Sequence, residues 1–412
     1  MIDSFYSPGT DCSRLRCGSL GAQLDGFAGW LSEQGYAKHT GRQKIGLVAH
    51  FSRWLGRQQV GVKDLNEEQV AEFLKVRKKR GLLRRDDQPT LAQLLGYLHE
   101  ADIIARPASA VSDTPMDHII QGYAQFLTYQ RGLNPVTIDN YLPIARSFLE
   151  ARFGAERICL DKLRIPDVTG FMVRDGATFS PRRAQLTACV LRSFLGFLTH
   201  EGKITTNLAA AVPAVANWRL SELPQFLEPT QVDQILGHCN QNSAIGRRDY
   251  AVLLLVARLG LRAGEVVHLN LESINWETGE VYIRGKSARE DRLPLLPEVG
   301  RAVAAYLKRD RPSCPCRRVF LRMKAPRQGF SSSVAIDNIV RRALVRAQLQ
   351  PPHKGAHLLR RSLATQMLRQ GATLTPIGQI LRHQRAQTTE IYAKVDLAAL
   401  RALAQPWPGG AH

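Results

Sequence analysis

Two stretches of this chain read as copies of each other, and that constrains the fold more than any other feature. Residues 25–55, DGFAGWLSEQGYAKHTGRQKIGLVAHFSRWL, align with 121–149, QGYAQFLTYQRGLNPVTIDNYLPIARSFL. Phe27 matches Tyr123, and Trp30-Leu31 matches Phe126-Leu127. A one-residue slip then brings Gly35 onto Gly132, Thr40 onto Thr137 and Phe51 onto Phe148. Farther on, Val70 and Phe73 match Val168 and Phe171, and Arg84-Arg85 matches Arg182-Arg183. LLGYL at 94–98 matches FLGFL at 194–198. The blocks keep one order and their offset drifts only from 96 to 100, which points to an internal duplication.

Each copy reads as about four helices. Leu20, Leu24, Phe27 and Leu31 fall on one helical stripe. Thr40 and Thr137 are expected to cap the second helix of each copy, since a threonine oxygen can accept an orphan N–H. Pro135 and the glycines fall where turns are expected. Polar, Pro-bearing linkers are read at 105–115 and 207–226. From about 227 the texture changes. RRDYAVLLLVARLG is an apolar helix ending at Gly260. ESINWETGEVYIRGKSAREDRLPLLP has short β-type runs split by turns, so a small antiparallel sheet is expected. Helices should follow at 298–309, 333–348, 357–370, 376–382 and 388–404. Gly371 would close the third, Pro376 open the fourth and Thr388 cap the fifth. The expected fold is mainly α with a small antiparallel sheet. Three domains are expected: 1–104, 113–206 and 225–412.

A length of 412 residues suits two to four domains, and 44% hydrophobic residues can fill real cores. Lys and Arg outnumber Asp and Glu by 56 to 36, a net charge of +20, which favours a polyanionic partner such as nucleic acid. The seven cysteines are scattered and odd in number, against a disulfide framework. Cys314-Pro-Cys316 is half a metal site with no second cysteine pair, so no metal is expected. No apolar run approaches the ~18 residues of a membrane span. The N-terminal residues lack a basic start and apolar core, so a cytoplasmic protein is expected.

Four places in the last region carry chemistry. Arg262 follows a helix end, and Lys286 sits in IRGKSARED. His357 and Arg360 lie in HLLRRSLATQM, and His383 and Tyr392 in LRHQRAQTTEIYAKVD. Taken singly, each has an ordinary reading: a capping arginine, a solvated lysine, a core tyrosine. Arg361 competes with Arg360, and HKGAH resembles a zinc face but lacks the glutamate of HExxH. Taken together, they suit attack on a phosphodiester. A tyrosine hydroxyl can be a covalent nucleophile. Two guanidiniums can meet the oxygens of a phosphorane-like state. A lysine can give the leaving oxygen a proton, and a histidine can take one. His357 and Arg360, three apart, are expected on one helix face, with His357 at a helix start that favours an anion.

In combination these residues resemble the tyrosine recombinase, or phage-type integrase, family. The pattern is Gly260-Leu261-Arg262 with Glu265 and Val266, then Lys286, His357-Leu358-Leu359-Arg360, Leu381-Arg382-His383, and Tyr392 nine residues later. LPQFLEPTQVDQIL at 223–236 resembles the entry to that family's catalytic domain, and 113–205 its helical core-binding domain. Two positions depart from the pattern: Arg382 stands where the family has glycine, and Ser287 where a glycine follows the lysine. The copy at 20–104 lies outside the minimal architecture.

The resemblance implies a site-specific DNA recombinase with Arg262, Lys286, His357, Arg360, His383 and Tyr392 as catalytic residues. Tyr392 would attack the scissile phosphate, leaving a 3′-phosphotyrosyl link and a 5′-hydroxyl. A partner strand's 5′-hydroxyl would then reverse the step. Bond energy is conserved, so the chemistry needs no cofactor. The implied partner is double-stranded DNA, held by a homo-tetramer on two duplexes or by a hetero-assembly with sister recombinases, for a mobile element. The helix within 395–407 would dock on a neighbour or on its own domain. Lys78, Lys79, Arg84, Arg85, Arg182 and Arg183 are candidate phosphate contacts or a solvated basic face. A DNA-bridging accessory protein and a type IB topoisomerase-like relaxer are the alternatives.

Overall fold

The computed structural model describes residues 2–7, 12–105, 114–154, 157–176, 180–216, 223–285, 290–395 and 401. They are mostly helical, with one three-stranded antiparallel sheet. Two compact units result: Met1–Arg106 with Glu222–His412, and Pro107–Ser221.

The N-terminal helices are α1 (Gly21–Glu33), α2 (Lys38–Arg57), α3 (Glu67–Lys79) and α4 (Asp87–Glu100). The expected stripe forms their seam: Leu20, Leu24, Phe27 and Leu31 are all buried. Asn66 starts α3 by accepting from the Glu68 N–H at 2.7 Å. The second unit holds α5 (Pro115–Gln125), continued by a π-helical turn at Phe126–Gln130, then α6 (Pro135–Phe153), α7 (Ile165–Gly176) and α8 (Pro181–His200).

Aligned rings meet in both sets of helices. Phe27 and Tyr97 lie 5.7 Å apart between centroids, and their counterparts Tyr123 and Phe197 lie 5.4 Å apart. Phe51 packs on Phe73 at 4.9 Å, and Phe148 on Phe171 at 5.4 Å. Phe27 stacks on Trp30 as Tyr123 stacks on Phe126. These rings remove large apolar areas from water and set the helix spacing.

The threonine caps are corrected. α2 starts at Lys38 behind Ala37, so Thr40 lies inside the first turn. In the second unit Asn134 caps α6, its Oδ1 accepting from the Val136 N–H at 3.0 Å. Pro135 opens the helix there, where its missing N–H costs nothing. Asparagine and proline therefore supply the start that Thr137 was expected to supply.

The C-terminal region holds α9 (Pro229–Gly237), α10 (Ala244–Leu259), α11 (Ala263–His268), β1 (Ile274–Asn275), β2 (Glu280–Arg284) and β3 (Glu290–Pro294). It continues with α12 (Pro297–Arg309), α13 (Val334–Arg346), α14 (Ala356–Arg369) and α15 (Leu374–Ile380). α10 is its central pillar, with Ala251 to Ala257 all buried. Each fully buried Leu or Val there contributes roughly 1.5–3 kcal/mol of transfer free energy. In the sheet Val281 faces Leu293, and Val281 and Ile283 point inward together.

Two further expectations change. α15 begins at Leu374, so Pro376 falls within its first turn, where proline is tolerated. The helix expected at 388–404 starts instead as 3₁₀ turns, Ala386–Thr388 and Glu390–Val395. The Thr389 hydroxyl is engaged with His383 at 2.8 Å and the residue is buried, which favours a tight turn over a regular helix start. Most of the expected docking segment at 395–407 lies outside the described residues.

The turn after α1 touches the C-terminal region. The Arg327 N–H donates to the Gln34 carbonyl at 3.0 Å. Gly35 has φ +77°, and a Cβ there would come within 2.4 Å of the Arg327 side chain.

Candidate active site

The site forms where three chain reversals meet. The first is the end of α10. Gly260 takes φ +62°, and a Cβ on it would come within 2.8 Å of the Leu381 side chain. Glycine therefore serves both the left-handed cap and the close approach. The reversal delivers Arg262 to the start of α11. Its N–H donates to Glu265 Oε2 at 2.8 Å, and its Nη1 to Oε1 at 2.7 Å. Its side chain remains 40% exposed, enough to meet a substrate.

The second is the start of α14. Its first N–H, on Ala356, donates to Asp337 Oδ1 at 2.9 Å. His357 is exposed at the second position, while Arg360 is 1% exposed. His357 and Arg360 lie three apart on α14, as expected, but at different depths, because Arg360 turns into the interior. Its Nη1 donates to the Gly260 carbonyl and its Nη2 to the Leu381 carbonyl. These bonds tie the end of α10 to the turn after α15. Burial, then the Arg262 and Arg382 guanidiniums, pull the Arg360 guanidinium down to about 9, so it stays charged at neutral pH.

The third is the turn Leu381-Arg382-His383. His383 lies beyond α15, and its N–H donates to the Gly378 carbonyl at 2.9 Å. Its Nδ1 sits 2.8 Å from Thr389 Oγ1. Burial, then Arg360, Arg262, His357 and Arg382, push the imidazole down to about 4. It is therefore neutral at physiological pH and able to take a proton. Tyr392 is 2% exposed, its ring parallel to that of His383. Burial raises its phenol, which Arg360 and Arg361 oppose. At rest the hydroxyl keeps its proton.

Arg262 is thus tied to the turn before His383, and Arg360 to the same turn, although Arg262 precedes His383 by 121 residues in sequence. Lys286 falls between β2 and β3 in sequence and lies outside the described residues. Among the described residues, no cluster of three metal-ligating side chains forms. Lys78, Lys79, Arg84, Arg85, Arg182 and Arg183 are exposed. The loop carrying Arg84 and Arg85 is shaped by Asp87, which accepts from Arg77 Nε at 2.8 Å and the Arg84 N–H at 3.0 Å.

Three parts of the site escaped the sequence reading. Glu265 was visible only as part of the motif, although its spacing from Arg262 is that of a capping box. Thr389, the partner of His383, carried no signal beyond being a polar neighbour. The role of Arg382 required the left-handed backbone to be seen.

A family model described as the phage integrase family matches residues 225–398. The integrase/recombinase y4rA of Sinorhizobium fredii (strain NBRC 101917 / NGR234) is 43% identical over 401 residues, 97% of each chain. The tyrosine recombinase XerC of Shewanella amazonensis (strain ATCC BAA-1098 / SB2B) is 31% identical, over 68% of this chain and 92% of its own. The fold resembles that of the XerH site-specific recombinase bound to palindromic difH substrate. That match has a TM-score of 0.55 and 16% identity over 70% of this chain and 96% of that one. A relative that matches nearly end to end, together with the Arg262–Arg360–His383–Tyr392 assembly, places this chain in the phage integrase family of tyrosine recombinases, enzymes that cut and rejoin DNA.

Proposed function

We propose that the protein is a site-specific recombinase of a mobile element and that Tyr392 is its nucleophile. The observation that carries this reading is that Arg262 and Arg360 bond the carbonyls of the Leu381-Arg382 turn that leads into His383, on which the Tyr392 ring stacks. Tyr392 Oη attacks the scissile phosphorus and gives up its proton to His383. The bond from phosphorus to the 5′ oxygen breaks, and Lys286 supplies that oxygen with a proton. Arg262 and Arg360 hold the non-bridging oxygens as charge builds on them, with His357 beside them. Attack by the 5′-hydroxyl of a second strand on the phosphotyrosyl link reverses each transfer and restores the phenol.

Two further parts belong to the same reading. Residues 1–104 and 113–206 descend from one helical unit, supported by the matched ring contacts. Their exposed Lys78, Lys79, Arg84, Arg85, Arg182 and Arg183 bind phosphates. The working assembly is a homo-tetramer on two duplexes, or a hetero-assembly with sister recombinases, in the cytoplasm.

The test uses nicked suicide duplexes cut from the DNA flanking the gene. Wild-type protein should form a covalent adduct that survives denaturation and maps to Tyr392. An adduct formed equally well by Tyr392→Phe would refute the assignment. Relaxation of unrelated supercoiled plasmids, without site preference, would favour a topoisomerase.

A further inference from the structure

Arg382 stands where the family pattern has glycine, and its backbone explains the glycine. Its φ is +53°, the left-handed region that a glycine enters without strain. An arginine kept there needs a reason in its side chain. That side chain is only 5% exposed. Its Nη2 donates to Glu265 Oε2 at 2.7 Å, and its Nη1 to the Ile380 carbonyl at 2.9 Å. In return, the Arg382 carbonyl accepts from Arg262 Nη2 at 2.9 Å.

These contacts close a ring. Glu265 holds Arg262, Arg262 holds the Arg382 carbonyl, and the Arg382 guanidinium returns to Glu265. A glycine at 382 would keep only the carbonyl link. The ring joins the phosphate-facing arginine to the residue immediately before His383, and Tyr392 stacks on His383. Glu265 is divided between the two arginines. Arg262 is oriented by Oε1 and its own backbone bond, while its side chain stays partly open to a substrate.

We propose that Arg382 is a positioning residue, which fastens the His383–Tyr392 segment to Arg262 through the shared carboxylate of Glu265. The inference rests on the proposed role of Tyr392 for its catalytic consequence, but not for the fastening itself.

The experiment has two arms, both on the full chain. Arg382→Asn removes the ion pair while asparagine tolerates the left-handed backbone, and Arg382→Lys keeps a cation. The first arm measures hydrogen exchange of 383–392 without DNA, with the melting temperature followed alongside. Exchange in the Asn variant should quicken about ten-fold while the protein stays folded, and the Lys variant should recover part of the protection. The second arm measures single-turnover adduct formation on a suicide duplex. The Asn variant should slow by about 10–100-fold at unchanged DNA affinity, as expected when a nucleophile is misplaced by about an ångström.

Unchanged exchange in the Asn variant overturns the fastening. Raised exchange with a wild-type adduct rate overturns the positioning role, as does a loss of affinity that accounts for the loss of rate. A Lys variant no better than Asn overturns the charge requirement. If wild-type protein forms no adduct, the Tyr392 reading fails alone, and the exchange arm still decides the fastening.

Discussion

The ring of Tyr392 lies parallel to that of His383, 8° between planes and 6.4 Å between centroids. The proposed nucleophile and its proton acceptor are therefore packed as neighbours before any DNA arrives. Replacing Tyr392 by Phe keeps that packing and removes only the hydroxyl. The variant is expected to fold and to bind DNA as the wild type does, and to form no covalent adduct. Denaturing gels of trapped reactions, beside a binding titration, check both halves.

Acid should weaken the protein through His383. Its folded value of about 4 lies below the ordinary 6.5, so the unfolded chain binds the proton more readily. The neutral-imidazole contribution to stability is full above about 6.5 and is lost as pH falls toward 4. Thermal melts across this range should show a falling midpoint, and His383→Gln should flatten that fall. Cleavage, done by the folded enzyme alone, should have its acid limb lower, near the folded value of about 4. An equally steep fall in the variant would remove His383 as the cause.

Arg360 and its neighbour Arg361 should part company. Removing the Arg360 guanidinium strands the buried Leu381 carbonyl and leaves the Gly260 carbonyl with the longer bond from Arg382 Nη2 at 3.4 Å. Arg360→Ala is expected to cost roughly 2–4 kcal/mol in denaturant unfolding and to abolish adduct formation. Arg361→Ala should stay within about 0.5 kcal/mol, the usual range away from such features. Equal losses would contradict the assignment of Arg360.

Salt dependence tests the basic end of α3 and the loop that follows it. Changing Lys78, Lys79, Arg84 and Arg85 together to Ala should lower the slope of log K against log salt by roughly 3–4, if all four meet phosphates. Fluorescence anisotropy across a salt series gives the slope. An unchanged slope would return these residues to a solvated face.

Much of this site could be read from residue order. Arg262, Arg360, His383 and Tyr392 were legible because phosphoryl chemistry needs those types, and their joint spacing is rare. The apolar stripe of α1 and the alternating β2 were equally plain, since periodicity records which face is buried. Helix starts were not. Ala37 and Asn134 precede the second helix of the two aligned segments, so local caps followed each sequence rather than the alignment. Arg360 and His357 shared a spacing but not an environment. Spacing fixes direction around an axis, whereas depth depends on the carbonyls of Gly260 and Leu381, which come from distant segments.

Gly35 and Gly132 hold matching places in their segments, each with a left-handed backbone, but their surroundings differ. Beside Gly35 sits Arg327, while a Cβ on Gly132 would meet nothing within 4 Å. The two helical sets are consequently not interchangeable parts. For a chimera built to exchange target preference between relatives, the turn at 132 offers room for a graft. The turn at 35 must travel with its Arg327 partner as one piece.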